Sequence, residues 1–152
     1  MAFQFKQFLV DDDGCTLKVG TDGVLLGAWA DVSECKNILE IGAGSGVISL
    51  MLAQRNKNAL VDAVEIDNHS SVKANKNIMY SSWSDRISIY HSSIQEFSKK
   101  ENLYDLIVCS PPYFRNSMKP QKRADLFSKH DDNLPYEALI AIAYKMLDNL
   151  GK

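Results

Sequence analysis

The sequence is short of the things that would place it outside the cell or in a membrane. It has only three cysteines, Cys15, Cys35 and Cys109, an odd and scattered set without metal-ligand spacing. Such a set cannot build a disulfide framework, and it reads as reduced thiols in a cytoplasmic protein. No apolar run approaches the length needed to span a bilayer. Residues 1–10 alternate apolar and polar side chains, so they lack the continuous apolar core of a signal peptide. There is no excess of positive charge either: 17 Lys and Arg against 19 Asp and Glu leave a net charge of −2. That excludes a protein that coats nucleic acid by charge alone, although a local basic patch is still allowed. Repeats and low-complexity tracts are absent, and no cluster offers metal ligands.

What is present is one domain's worth of chain, 152 residues of which 45% are hydrophobic and 24% charged. That is ordinary for a soluble globular protein with its own core. Aromatic and β-branched content predicts a strand over residues 3–10. Asp11-Asp12-Asp13-Gly14 supplies a turn, and residues 15–19 return as the second strand of a hairpin. A short helix follows over residues 24–30, with Thr21 or Asp22 as its cap. From residue 37 strands and helices alternate: strands over 37–41, 59–66, 86–90 and 104–109, and helices over 47–54, 70–78 and 95–100. Asp67 is a candidate cap for the second of these helices. His91, alone at a strand end, reads as structural. The last helix, residues 138–150, is opened by Pro135 with Asp132 or Asn133 as cap, and Gly151 is its natural stop. Alternation of this kind predicts an α/β fold with a doubly wound, mainly parallel sheet.

Two junctions carry chemistry. The first is Glu40-Ile41-Gly42-Ala43-Gly44-Ser45-Gly46, a glycine-rich turn between strand and helix, the setting of a nucleotide site. Its spacing is not the dinucleotide fingerprint, and Glu40 would repel a pyrophosphate. A carboxylate there suits an ammonium or sulfonium instead, which disfavours NAD chemistry and favours S-adenosylmethionine. About 20 residues on, Glu65 ends the next strand, where a carboxylate binds a ribose diol. At the end of the third strand, Ser93 or the backbone beside it is placed to meet an adenine edge.

The second junction is Cys109-Ser110-Pro111-Pro112-Tyr113-Phe114. Two prolines end the strand at a stiff turn, with one polar hook before them and two aromatics after. A planar base with an exocyclic amine fits such a site. Beyond it Arg115, Lys119, Lys122, Arg123 and Lys129 face a single acid, Asp125, in a long segment suited to phosphate contact.

Taken together, these blocks resemble the class I S-adenosylmethionine methyltransferases, and among them the amino-methyltransferases whose [N/D/S]-P-P-[Y/F/W] signature ends the fourth strand. The stretches Phe3-Gln4-Phe5-Lys6-Gln7-Phe8, Lys18 through Trp29, Val64 through Asp67 and Arg123 through His130 are similar to one branch, the bacterial tRNA(Val) adenine-N6 methyltransferases. The resemblance implies a single Rossmann-like methyltransferase domain over residues 1–152, with an N-terminal hairpin and helix over 1–31 and a core over 37–152. It implies S-adenosylmethionine held by Thr21, Asp22, Glu40, Gly42, Gly44, Gly46, Glu65, Ile66, Ser93 and Ser110. Ser110, Pro111, Pro112 and Tyr113 are implied as catalytic, and Phe114, Arg115, Lys119, Lys122 and Arg123 as contacts to the tRNA anticodon stem-loop. No metal and no membrane enter.

Two departures from the branch shape what to expect. Ser110 stands where the branch has Asn, a feature shared with cytosine-N4 methyltransferases. Alternatives are therefore methylation of another exocyclic or amide nitrogen, including protein glutamine, or a methyltransferase-like domain that binds without catalysis. The chain also stops before the fold's fifth strand. An open, apolar edge is expected along the fourth strand, and with it a monomer or a weak oligomer formed through that edge.

Overall fold

A computed structural model describes residues 2–98, 102–111 and 134–152. Its elements are β1 (Ala2–Gln4), β2 (Leu9–Asp11), α1 (Thr21–Trp29), β3 (Asn37–Ile41), α2 (Val47–Arg55) and β4 (Leu60–Glu65). There follow α3 (Asn68–Met79), β5 (Ile87–His91), α4 (Ile94–Phe97), β6 (Leu106–Cys109) and α5 (Tyr136–Met146). Strands β3 to β6 form one parallel sheet in the order β5-β4-β3-β6. The chain steps outward from β3 through β4 to β5, then crosses back to lay β6 on the other side of β3. Sequence order thus reverses between β3 and β6, and open α/β sheets take their ligands at such a switch point, outside the strands' C-terminal ends.

Parallel strands covered on both faces read as nearly continuous apolar runs, and Ile38-Leu39-Glu40-Ile41 is buried throughout. Alternate residues serve opposite layers. Ile38, Val61, Leu106 and Val108 join Ile48, Leu50 and Leu52 of α2 in the larger core. Leu39, Ile41 and Val64 meet Phe97 of α4 and Met146 of α5 on the other face. A fully buried Leu or Ile contributes about 1.5–3 kcal/mol, so these two layers fix the sheet.

Several boundaries differ from expectation, each for a tertiary reason. The hairpin pairs β1 with β2, Ala2 opposite Asp11, and residues 15–19 are not its second strand. Phe5 N–H donates to Phe8 O at 2.9 Å, and the two rings stack with centroids 4.5 Å apart. That contact turns the chain early. Residues 12–19 are gathered by Asp12 instead, whose carboxylate accepts from Val19 N–H at 3.0 Å. Neither Thr21 nor Asp22 caps α1: both lie in its first turn, and Gly20 is the capping residue, without a side-chain bond. Pro135 is likewise the residue just before α5.

Helix α5 ends at Met146, not at residue 150, because Leu147 becomes extended and pairs in parallel with Tyr104. Along the same edge Tyr104 N–H donates to Met146 O, Asp148 N–H to Tyr104 O, Lys152 N–H to Asp105 O and Ile107 N–H to Lys152 O, all at 2.9 Å. The edge beside β6 is therefore covered over residues 104–107, which corrects the expected open edge for that stretch. The Lys152 ammonium also pairs with Asp31.

Candidate functional site

The glycine turn sits at the C-terminal end of β3, held from below by β4: Gly42 N–H and Ala43 N–H both donate to Val64 O, at 2.9 and 3.1 Å. Gly42, Gly44 and Gly46 have φ of 82°, 55° and 80°, a backbone that side-chain-bearing residues rarely adopt. Their surroundings differ. A Cβ on Gly42 or Gly44 would meet nothing within 4 Å, whereas one on Gly46 would lie 3.3 Å from the Ala74 Cβ. The first two thus line open space, and the third lets α3 approach the turn.

Two buried carboxylates flank this turn, and Glu65 bonds it directly. Glu65, at the end of β4, accepts from Gly44 N–H at 2.7 Å through Oε2 and from Asp67 N–H at 2.8 Å through Oε1. Burial pushes its pKa up, against the backbone hydrogen bonds that lower it. Glu40, at the fourth position of β3, is 1% exposed. Its Oε2 accepts from Ser49 N–H at 2.9 Å and bonds the Ser49 hydroxyl. Ser49 is the third residue of α2, so Glu40 satisfies one of that helix's orphan N–H groups from inside the sheet. Its Oε1 has no hydrogen-bond partner among the described residues. Burial, opposed by the bonds to Ser49 and helped by the charge of Glu65, pushes the Glu40 carboxyl up to about 8.

An open glycine cradle that follows, two residues on, a buried carboxylate with an unpartnered oxygen suits a ligand that brings a cationic group. The residues therefore fit S-adenosylmethionine. On the far side of β3, the last register pair joins Ile41 to Cys109, so Ser110 and Pro111 leave the sheet beside Gly42. Burial, with the charge of Glu40, pushes the Cys109 thiol up to about 12, which makes it a packing group and not a nucleophile.

The remaining expected residues are distributed as follows. Thr21 and Asp22 open α1, which packs on α2: a Cβ on Gly23 would touch Ile48, and Gly27 lies against Met51. Ile66 follows β4, 39% exposed, and its carbonyl contacts His91 Nε2 at 3.1 Å. Ser93 caps α4, its hydroxyl accepting from Glu96 N–H at 3.2 Å. Asp67 caps α3 as expected, accepting from Ser70 N–H at 2.7 Å. Pro112, Tyr113, Phe114, Arg115, Lys119, Lys122 and Arg123 lie outside the described residues. No group of metal-ligating side chains occurs among the described residues, and none of their helices is long and apolar enough to cross a membrane.

Sequence reasoning missed Ser49 and Asn77, which bond Glu40 and the glycine turn respectively. Asn77 left a signal, since it falls on the inward stripe Ser70, Ala74, Asn77 and Ile78 of α3, where a polar side chain needs a partner.

A family model described as "Methyltransferase small domain" matches residues 18–147. The tRNA1(Val) (adenine(37)-N6)-methyltransferase of Trichodesmium erythraeum is 49% identical over 99% of this chain and 64% of its own length. Its namesake from Shewanella sediminis is 48% identical over 92% of this chain and 59% of its own. The chain thus spans about three-fifths of the length of these relatives. A SAM-dependent methyltransferase structure from Agrobacterium tumefaciens superposes with a TM-score of 0.68 at 18% identity, covering 99% of this chain and 50% of that one. At that identity the likeness speaks for the fold.

Proposed function

The chain belongs to the methyltransferase small domain family, and from that premise we propose that it methylates the N6 amine of an adenine in tRNA, using S-adenosylmethionine, in the cytoplasm. The anticodon-loop adenine of a valine tRNA is the proposed target, in keeping with the names of the relatives. One observation carries the reading: the open cradle of Gly42 and Gly44 and the Ser110-Pro111 turn stand on adjacent strands of the switch point.

S-adenosylmethionine supplies an electrophilic methyl on a sulfonium. The chain's own residues bind and aim. Gly42 and Gly44 leave room for the cofactor's backbone-hugging end. Glu40 acts on the cationic group as a buried charge from within the sheet, and Glu65, with spare lone pairs on both oxygens, accepts from a ribose diol. Thr21, Asp22, Ile66 and Ser93 border the same cofactor. Gly46 serves it indirectly, by letting α3 close on the turn.

An exocyclic amine is a poor nucleophile because its lone pair is delocalised into the ring. Ser110 Oγ and the Pro111 carbonyl accept its two N–H hydrogens and draw the nitrogen toward tetrahedral geometry. The acceleration comes from positioning and electrostatics, without a strong base. Tyr113 stacks on the base, a contact worth about 1–3 kcal/mol in single-stranded recognition. Pro112 stiffens the turn, Phe114 walls the pocket, and Arg115, Lys119, Lys122 and Arg123 hold phosphates of an anticodon loop, whose unpaired bases cost little to extrude.

The double variant Ser110→Ala, Tyr113→Ala is expected to lose methyl transfer while keeping S-adenosylmethionine affinity within about threefold. Loss of cofactor binding in calorimetry would show that these two residues serve the cofactor and not the base.

A further inference from the structure

We propose that Asn77 is a positioning residue of the cofactor site, bolting the glycine turn to the N-terminal hairpin. The claim rests on the reading that this turn receives S-adenosylmethionine. A turn of five residues with three left-handed glycines is closed on itself by the bond from Gly46 N–H to Ala43 O at 2.8 Å, and needs support from outside. Its shape has to be imposed by its neighbours, and two side chains do so. Glu65 holds Gly44 N–H from the end of β4. Asn77, buried in α3, holds the next residue: its Nδ2 donates to Ser45 O at 2.9 Å.

The rest of the same amide grips β2. Nδ2 donates to Asp11 O at 3.0 Å, and Oδ1 accepts from Asp11 N–H at 3.0 Å. Only this orientation satisfies both ends of the side chain, since a flipped amide would set Nδ2 against an N–H and Oδ1 against two carbonyls. The Lys73–Asp11 ion pair at 2.7 Å fastens the same junction one turn of α3 earlier. Residues 2–11 precede the segment matched by the family model, yet they share a side chain with the turn that the ligand must meet.

The test compares Asn77→Asp and Asn77→Ala with Asn56→Ala. Asn56 makes a similar set of bonds at the other end of α2, donating to Val32 O at 2.7 Å and Cys35 O at 2.9 Å. Melting temperature, S-adenosylmethionine affinity by calorimetry, and KM and kcat on tRNA are measured for each. Both Asn77 variants are expected to bind the cofactor at least tenfold more weakly and to raise its KM with kcat nearly unchanged. Asn56→Ala is expected to lower the melting temperature and leave affinity within twofold. Should Asn77→Ala not fold, Asn77→Asp carries the comparison. Folded Asn77 variants with unaltered affinity, or an equal loss in Asn56→Ala, would overturn the proposal. If the parent protein binds no S-adenosylmethionine, the functional reading falls by itself. The positioning claim then stands or falls on amide exchange at residues 42–46, which Asn77→Asp must accelerate at least tenfold and Asn56→Ala must not.

Discussion

Glu40 lies one residue short of the end of β3 and Glu65 ends the neighbouring β4, two buried carboxylates under different constraints. Glu40 is fully enclosed and faces no cation among the described residues: Ser49 meets it from α2, Glu65 stands beyond on β4, and Cys109 on β6. An acid whose native pKa is raised from 4.5 to about 8 binds more protons folded than unfolded between those values. Stability therefore falls as pH rises through that window, and it is fully retained below it. Glu40→Gln is expected to flatten the fall in melting temperature between pH 5 and pH 8, a window set by that shift. An unchanged slope would mean that Glu40 is ionised in the empty protein. For Glu65, removing the carboxylate in Glu65→Ala leaves Gly44 N–H and Asp67 N–H without their acceptor. Cofactor affinity should drop roughly tenfold or more, the scale of a lost charge-assisted hydrogen bond. Affinity within twofold of the parent would sink the ribose assignment.

Among the elements, the strand-to-helix turn after β3 separates lining from packing. Gly44→Ala adds a methyl to open space in a left-handed conformation, at a cost of about 1–2 kcal/mol. Gly46→Ala meets the same backbone penalty and also presses on Ala74. Thermal melts should therefore rank Gly46→Ala as the less stable of the two. Calorimetry should find Gly44→Ala the poorer binder at temperatures where both are folded. The reverse order would reassign the two glycines.

This turn, and the β3 to β6 alternation around it, were legible in the sequence because the cues are local. Glycines, buried β-branched runs and the Asp67 cap each act within a few residues of themselves. Where the cue lay elsewhere, the reading failed. Leu147 has every reason to continue α5 until Tyr104 captures its backbone, and residues 15–19 look like a strand until Asp12 takes Val19 N–H. The same holds in the site. Glu40 stood out by its place before Gly42, but that half of its carboxylate caps α2 depends on Ser49, which only the folded chain brings near.

At the scale of the whole molecule, residues 146–152 lie along residues 104–107, and Lys152 ties back to Asp31. Removing residues 148–152 exposes the N–H of Ile107 and the carbonyls of Tyr104 and Asp105 on an apolar strand. The shortened protein should melt lower and self-associate in sedimentation velocity, as exposed strand edges do. A monomer of unchanged stability would show that this pairing contributes little.

In the proposed function a cofactor cradle on one side of the switch point serves an amine site on the other. The measurement that tests this most directly is transfer of a tritiated methyl from S-adenosylmethionine to bulk tRNA from a strain lacking this activity, followed by nucleoside analysis. Label is expected in N6-methyladenosine alone, and is lost in the Ser110→Ala, Tyr113→Ala variant. Label in N4-methylcytidine, or a protein that binds S-adenosylmethionine and transfers nothing to tRNA, would contradict the proposed function.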